Sequence, residues 1–433
     1  MTAKTVPKFA SRVASSGIAA GAIASKYIAE LCGFKNAIGL DMGGTSADIS
    51  LMYEGELRVT KDWYIEYGYP IGFPSIEVLT IGSGGGSISW IDDGKSLRNG
   101  PHSAGADPGP ASYNQGGIEP TNTDANLILG RLDTNLLDGQ MKLNKEAALK
   151  SIQPIKDTFG YSDEEAAHAI LEVANANMSD ALRLISVRRG YDPRDFALVS
   201  FGGAGALHSA YLAQEMEIPN VIVPAQSGVA GALGCMLVDF RHDISQTYVE
   251  NIKNAKLEEI EERFLEMEKE AIKLLEKENI SEENMHLLRH IEMRYAGQWR
   301  SLDVTIGKPI HSLEEAINKF HIEHERAYAY SNYDIDIEIY GLGIEAIGTV
   351  AKPEFAAEES TGKLQDALKG KREVYFKESK GFTETPIYNR NAIPVNSTIV
   401  GPAVIEQLDS TVVLPPEFHA KVDEYKNIII SIK

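Results

Sequence analysis

Cysteine and long apolar runs are both scarce in this chain of 433 residues. The two cysteines, Cys32 and Cys235, have no metal-ligand spacing, which excludes a cysteine-based metal site and fits a reducing cytosol. No apolar run reaches the roughly 18 residues of a membrane span, and the first residues lack the apolar region of a signal peptide. The sequence therefore predicts a cytoplasmic protein with no membrane partner.

Positive charge is also in short supply. Lysine and arginine number 42 against 62 aspartates and glutamates, so the formal net charge is −20. Because such a chain repels phosphate backbones, we expect no sequence-independent binding of nucleic acid. A hydrophobic fraction of 43% and a charged fraction of 24% are those of a soluble globular protein, and the length predicts roughly two to four domains.

Glycine, at 38 residues, is somewhat more common than average and is concentrated in a few segments. The first is the turn Asp41-Met-Gly-Gly-Thr45 between two predicted strands. Adjacent glycines let a phosphate approach the backbone N–H groups, because no Cβ is in the way. The Asp41 carboxylate could hold Mg²⁺ or orient a nucleophile, and the Thr45 hydroxyl adds a donor. A tight hairpin without a ligand is the alternative.

A second glycine turn joins a predicted strand, 196–201, to a predicted helix, 206–216. The turn, Gly202-Gly203-Ala204-Gly205, brings N–H groups and the positive end of a helix dipole to one point. That arrangement suits an anion or the sugar and base of a nucleotide, and close helix–strand packing is the alternative. Residues 81–117 are also rich in glycine, which predicts long functional loops.

Four side chains near these glycines are candidate site residues. His102 lies beside the glycine-rich loops and His208 follows the second turn, although either could be a structural histidine. Asp107 and Asp124 are either site carboxylates or caps that organise loops.

Two other histidine pairs predict no site. His286 and His290 have the spacing of one helix face but lack the glutamate of a metalloprotease motif. The histidines of residues 321–325 are expected on the exposed face of a helix that is capped by Ser312.

The order of predicted elements suggests a layered α/β architecture at the start of the chain. A helix is expected over 162–189, and an acidic amphipathic helix over 257–283. From about residue 371 the chain predicts strands alone. We therefore divide it into an α/β lobe at 1–250, an acidic helical and mixed segment at 251–360, and a β-rich carboxy-terminal domain at 361–433.

In this order, the two glycine turns resemble the second half of the actin, Hsp70 and sugar-kinase ATPase fold. There the hairpin is the second phosphate loop, and the later glycines hold adenosine. The resemblance implies an actin-like α/β ATPase lobe, with a mixed α+β insertion and the β-rich domain after it.

Seven motifs together resemble the hydantoinase A/5-oxoprolinase family. They occupy residues 16–21, 39–48, 80–87, 103–110, 123–127, 201–208 and 401–406. Within that family, residues 61–64, 67–70 and 73–74 look most like acetone carboxylase β-type subunits.

The resemblance implies an enzyme that uses ATP and Mg²⁺ to phosphorylate a carbonyl compound. Acetone-type carboxylation is the preferred reaction, and hydrolysis of a hydantoin or 5-oxoproline ring is the first alternative. A non-catalytic structural subunit and a sugar or acid kinase are further alternatives. The catalytic candidates are Asp41 (also the metal ligand), His102, Asp107, Asp124 and His208. The candidates for cofactor binding are Gly43, Gly44, Thr45, Ser46, Gly84, Gly85, Gly202, Gly203 and Gly205.

Full-length members of this family carry an earlier phosphate loop in an amino-terminal half of similar fold. This sequence has no counterpart of that loop, so we expect a separate subunit to supply the missing lobe. A truncated gene product that is inactive alone is the alternative. The family also implies a hydantoinase B-like partner subunit, which could hold another divalent metal.

Overall fold

The structure, a computed structural model, describes residues 6–8, 10–13, 15–60, 63–65, 69–71 and 75–432. The chain forms two compact units. The larger unit comprises residues 15–237 and 354–433, and the smaller one comprises residues 238–353 with the described residues before 15. The predicted segments, with boundaries at 250 and 360, stay predictions. Of the motifs that resemble acetone carboxylase, residues 61–62, 67–68 and 73–74 lie outside the described residues.

The described residues contain nine α-helices. Those of the larger unit are α1 (Ser16–Leu31), α2 (Asn122–Ile128), α3 (Lys145–Ser151), α4 (Gln153–Phe159), α5 (Asp163–Ile185), α6 (Gly205–Glu215) and α7 (Ala230–Leu237). Those of the smaller unit are α8 (Leu257–Glu276) and α9 (Leu313–Tyr328).

The strands of the larger unit fall before and after the smaller one. The first group is β1 (Ala37–Met42), β2 (Ala47–Tyr53), β3 (Glu56–Leu57), β4 (Val59–Thr60), β5 (Trp63–Ile65), β6 (Tyr69–Ile71), β7 (Ser75–Ile76), β8 (Val78–Ile81), β9 (Ser87–Ile91), β10 (Leu97–Ser103), β11 (Asn135–Leu136), β12 (Met141–Lys142), β13 (Ala197–Phe201) and β14 (Asn220–Val223). The smaller unit contributes β15 (Phe240–Asn251), β16 (Met285–Tyr295), β17 (Leu302–Ile306) and β18 (Ile337–Gly348). The last group is β19 (Leu368–Phe376), β20 (Gly381–Asn389), β21 (Thr398–Val400), β22 (Ala403–Glu406), β23 (Thr411–Leu414), β24 (Phe418–Val422) and β25 (Ile428–Ile432).

The main sheet of the larger unit is mixed, with the strand order β21-β24-β25-β14-β13-β1-β2-β3 and β8 beside β2. At its centre β1 runs parallel to β13 and antiparallel to β2, and β13 runs parallel to β14. The central strands are nearly continuous apolar runs because helices cover both faces of the sheet. The chain thus has the mixed α/β fold that the sequence predicts, whereas the actin-like arrangement of the lobe stays a prediction.

Alternate residues of β1 point to opposite faces of this sheet. Leu40 and Met42 join the apolar core that α5 and α6 help to build. Gly39 faces α1, since a Cβ there would lie 2.6 Å from Ser50 Oγ and equally close to Ser25 on the helix. Asp41 is on the same face as Gly39, a placement that matters for the site.

Two predicted helices are shorter in the structure. Helix α8 ends at Glu276, and α5 ends at Ile185 because Ser186 leaves the helical conformation. A capping box opens α5, with Ser162 Oγ and the Glu165 carboxylate bonded to each other's backbone N–H groups.

The smaller unit packs two helices on an antiparallel sheet of order β15-β18-β16-β17. The apolar stripe of α8, including Ile260, Phe264 and Ala271, is buried in this unit's core. This confirms the prediction of an amphipathic helix.

The structure places both histidine pairs in this unit. His286 and His290, for which no metal site is predicted, lie on strand β16. The predicted exposure of the second pair is wrong. His321 and His324 are buried in the structure, not exposed, because α9 turns them toward the aromatic ring of Tyr295 on β16. His321 Nδ1 lies 2.7 Å from the Tyr295 hydroxyl oxygen, so these histidines are structural partners of the core.

Candidate active site

The two glycine turns of the larger unit are neighbours. They follow β1 and β13, and the carboxyl ends of parallel strands meet at the same edge of a sheet. The Ala204 N–H donates to the Met42 carbonyl oxygen over 3.0 Å. At Gly202 the backbone has φ +80°, and a Cβ there would lie 2.7 Å from Asp41 Oδ1, so this position requires glycine.

A third glycine segment lies directly on the first turn. The Gly85 N–H donates to the Gly43 carbonyl oxygen over 3.0 Å, and the Gly86 N–H donates to the Gly44 carbonyl oxygen over 2.7 Å. A Cβ at Gly84 would lie 2.5 Å from the backbone nitrogen of Thr45. The glycines at 84–86 therefore permit a backbone-to-backbone approach that fixes the hairpin in place.

Gly43 and Gly44 themselves face open space. Both are exposed, and a Cβ added at either would meet nothing within 4 Å. Their lack of a side chain is thus not required by packing within the described residues. It leaves the hairpin backbone accessible to a ligand, as the phosphate-loop interpretation requires.

A cavity of about 650 Å³ lies beside these segments in the larger unit. Five predicted site residues line it: Gly43, Gly44, Gly85, Gly203 and His208. The remaining walls come from helix α2, from residues 132–141 and from residues 406–411. The structure therefore brings the hairpin, the loop glycines and the second turn to one cavity. Of the other glycine and hydroxyl candidates, Thr45, Gly84, Gly202 and Gly205 are next to lining residues in sequence, and Ser46 is two residues after Gly44. None of these five residues lines the cavity.

Asp41 does not line the cavity. It lies at the base of the hairpin on the α1 face of the sheet, where a Cβ at Gly21 would come within 3.3 Å of Asp41 Oδ2. Asp48 is its direct partner on the antiparallel strand β2. Burial, together with the nearby Asp48 carboxylate, raises the pKa of Asp41 to about 6.

His208 is buried and lines the cavity. Its Nδ1 lies 2.7 Å from Asn175 Oδ1 on helix α5. Nδ1 must carry the proton to make this hydrogen bond, so Nε2 is left with its lone pair. Burial, and then the positive charge of Arg131, lower the pKa of His208 to about 3. The ring is therefore uncharged at neutral pH.

The other three catalytic candidates lie outside the cavity lining. His102 and Asp107 are exposed on and after strand β10. Asp124 is fully buried and forms a capping box with Thr121 at the start of α2. Its carboxylate also accepts the N–H groups of Ala111, at 3.2 Å, and Ser112, at 2.7 Å. These contacts favour the loop-organising alternative for Asp124.

Neither a metal cluster nor a membrane span is found in the described ranges. No group of three or more histidine, cysteine or acidic side chains there could hold a metal ion. None of the helices described is long and apolar enough to cross a membrane.

Family comparisons agree with the motifs that meet at this cavity. The hydantoinase/oxoprolinase family model matches residues 1–244, and the model of the C-terminal domain of the same family matches residues 247–431. The chain belongs to the hydantoinase/oxoprolinase family.

Three proteins similar to this chain illustrate the family. An uncharacterised protein of Methanocaldococcus jannaschii is 41% identical over 421 residues, which are 95% of this chain and 60% of that protein. Caprolactamase subunit alpha of Pseudomonas jessenii is 35% identical over 418 residues, 94% of this chain and 60% of the subunit. The crystal structure of the ATP-dependent caprolactamase from that organism matches with a TM-score of 0.83 at 34% identity, covering 95% of this chain and 61% of that one.

A nucleotide-free structure of acetone carboxylase, an enzyme of ATP-dependent acetone carboxylation, matches with a TM-score of 0.81 at 26% identity. The match covers 96% of this chain and 61% of that one. This chain thus spans about 60% of the length of the two curated relatives named above. The family includes ATP-dependent enzymes that process amides and ketones, and named relatives are subunits of larger assemblies.

Two lining residues of this hydantoinase/oxoprolinase chain were not singled out from the sequence. Asn126 lies inside the family motif at 123–127, and Asp409 follows the motif that ends at Glu406. Both carry a buried side-chain oxygen, Oδ1, without a hydrogen-bond partner among the described residues. Asn126 could have been found from the sequence because it belongs to a family motif. Asp409 could not, because only the folding of the chain brings it to the cavity.

Proposed function

We propose that this chain is the ATP-binding subunit of a multi-subunit enzyme that activates a carbonyl compound by phosphorylation. The observation that carries the proposal is the meeting of three glycine segments at one cavity, with the backbone of Gly43 and Gly44 open to a ligand. The ATP-dependent relatives of the same family support it.

In this proposal the hairpin receives the phosphates of ATP. Backbone N–H groups around Gly44 bind the phosphate oxygens, since the Gly43 N–H already donates to the Ser46 carbonyl oxygen, and no side chain blocks their approach. Gly203, at the start of α6, lines the part of the cavity that takes the sugar and base. The supporting glycines at 84–86 keep the hairpin fixed, so binding does not have to order it.

The carboxylates at the base of the hairpin fit Mg²⁺. Asp41 and Asp48 are opposed on neighbouring strands, and their oxygens are the hard ligands that this ion prefers. Burial, and then the negative charge of Asp48, raise the pKa of Asp41, and a bound cation would offset both effects. One or two carboxylates suffice, since Mg²⁺ usually keeps waters and phosphate oxygens as its other ligands. When bound, the ion would neutralise charge on the phosphates.

The chemistry follows from the reactivity of carbonyl groups. The carbonyl oxygen attacks the terminal phosphorus of ATP, an O–P bond forms, the bond to the bridging oxygen breaks, and ADP leaves with that electron pair. The substrate then carries phosphate as a leaving group. Acetone-type carboxylation is the reaction that the sequence predicts. Hydrolysis of a cyclic amide is the second candidate, which the 35% identity to a caprolactamase subunit favours.

We further propose a partner for this chain. A hydantoinase B-like subunit completes hydrolysis or carboxylation. The roles of His102 and Asp107 in these steps stay predictions.

The test is substrate-dependent ADP formation by the complex that contains this chain. The candidate substrates are caprolactam, 5-oxoproline, and acetone with bicarbonate, each compared with a reaction that lacks substrate. We expect at least one of them to raise the rate of ADP formation at least tenfold. A complex that forms no ADP with any of them would contradict the proposed reaction and favour a structural subunit.

A further inference from the structure

Two residues that line the cavity each have a buried acceptor atom without a partner among the described residues. The atoms are Asn126 Oδ1, on helix α2, and His208 Nε2, on helix α6. Each residue is only 1% exposed. An acceptor that is buried and unpaired costs about 1–3 kcal/mol, so such atoms are rare unless they have a function.

The orientation of both side chains is fixed by their other hydrogen bonds. The Asn126 amide nitrogen donates to the Asn122 carbonyl oxygen over 2.9 Å, which leaves the amide oxygen free. Asn175 accepts the Nδ1 proton of His208, which leaves Nε2 as an acceptor. Neither group can turn a donor toward the cavity without breaking an existing bond.

A short chain of contacts ties the two acceptors together. The Asn126 carbonyl oxygen accepts the Arg131 N–H over 2.9 Å. The Arg131 guanidinium donates to the Tyr211 hydroxyl over 3.1 Å and stacks on that ring, and Tyr211 lies one turn after His208 on α6. Arg131 is thus a positioning residue for both walls.

Three side-chain donors of the cavity lining are already engaged. Thr123 Oγ1 donates to the Gly85 carbonyl oxygen, Lys369 Nζ to Glu406, and the Gln407 amide to the Ala225 carbonyl oxygen. Four carboxylates line the cavity against one ammonium group; the acids are Asp133, Asp138, Glu406 and Asp409. The acidic side chains of the lining therefore disfavour an anionic group beside them and suit a group that donates hydrogen bonds.

We propose that Asn126 and His208 form a subsite that receives an uncharged hydrogen-bond donor, an N–H or O–H group, of the bound small molecule. The proposal rests on the proposed function only in taking the cavity as the binding site. Two ligands could supply the donor: the N–H of a cyclic amide substrate or a hydroxyl of the nucleotide ribose. Substrates that only accept, such as a ketone, would leave both atoms unpaired.

The test compares two ligand pairs on the purified complex by titration calorimetry. Caprolactam is compared with N-methylcaprolactam, which lacks the N–H, and ATP is compared with 2′,3′-dideoxy-ATP, which lacks the ribose hydroxyls. We expect one pair to show a preference for the donor-bearing ligand of about tenfold to a hundredfold. The pair that shows it identifies the source of the donor.

Variants assign the preference to the subsite. Asn126→Leu and His208→Phe should each abolish most of the preference, and His208→Gln should retain part of it because its side chain carries an acceptor. The matched controls, Asn177→Leu and His286→Phe, lie outside the cavity lining and should keep the wild-type preference. Two independent positions keep the test valid if one variant fails to fold.

The positioning role of Asn175 has its own readout. In Asn175→Asp a carboxylate next to Nδ1 stabilises the protonated ring, whose Nε2 then donates. The positive charge of Arg131, next to the ring, opposes this protonation, and it is the same in the wild type and in the variant. As the pH is lowered, the Asn175→Asp variant should lose its preference for the donor-bearing ligand at a higher pH than the wild type does. A merely structural role of Asn175 would not cause this shift.

Two results would overturn the subsite. One is an equal affinity of the wild type for both members of each pair, including no binding by either. The other is a preference that survives both Asn126→Leu and His208→Phe in folded protein. Failure of ATP to bind while the lactam preference persists would instead contradict the proposed function and leave the subsite standing.

Discussion

One methyl group at Gly84 would push the phosphate hairpin out of place. The Cβ of Gly84→Ala would lie 2.5 Å from both the carbonyl carbon of Gly44 and the nitrogen of Thr45. Carbon atoms in contact prefer about 3.5–4.0 Å, so the overlap is about 1 Å. Both atoms it meets are backbone, and no rotamer change can relieve the clash. Overpacking of this kind costs about 1–3 kcal/mol.

The assay is urea denaturation of Gly84→Ala, the wild type and two glycine controls. At Gly44 and Gly381 an added Cβ meets nothing within 4 Å, so Gly44→Ala and Gly381→Ala should change the free energy of unfolding by no more than about 0.5 kcal/mol. Gly84→Ala should be less stable than both by more than about 1 kcal/mol. Equal stability of all three variants would refute the close approach of the loop to the hairpin.

Three further predictions concern buried polar groups. Because the pKa of His208 is lowered to about 3, its contribution to stability is complete above about pH 6.5. As the pH decreases from there toward 3, the free energy of unfolding should fall by up to about 1.4 kcal/mol per pH unit. In urea titrations, His208→Gln should remove that part of the pH profile. Asp124→Ala leaves buried N–H groups unpaired and should lower the free energy of unfolding by about 3 kcal/mol or more. A loss of ATPase activity at unchanged stability would instead support the interpretation of Asp124 as a site carboxylate. Arg289, which is buried, donates to Glu268 over 2.8 Å and to Glu261 over 2.7 Å. Arg289→Met should therefore destabilise the smaller unit by about 3–5 kcal/mol, measured by calorimetry. An unchanged melting temperature would contradict this prediction.

Local signals were sufficient to predict the elements around the hairpin. Strands β1 and β13 were visible as short apolar runs, and the glycine turns after them were visible because glycine and strand periodicity act over a few neighbouring residues. The capping box of α5 was predictable for the same reason, since its two partners, Ser162 and Glu165, are three residues apart.

Long-range placement was not available from these patterns. Nothing local shows that β13 pairs with β1, about 160 positions earlier in the chain, yet this pairing brings the two turns together. The same limit explains why Asp41 was grouped with residues of the cavity although it faces α1. The burial of His324 depends on Tyr295, a residue of another element, and its polar character alone suggested exposure.

The affinity for ATP of the complex that contains this chain tests the central claim most directly. Wild type and Gly381→Ala should bind ATP with equal affinity. Gly44→Ala, whose methyl group would occupy the open space above the hairpin, should bind it at least tenfold more weakly at unchanged stability. ATP binding that is identical in all three, or absent from the wild type, would contradict a phosphate site at the glycine hairpin.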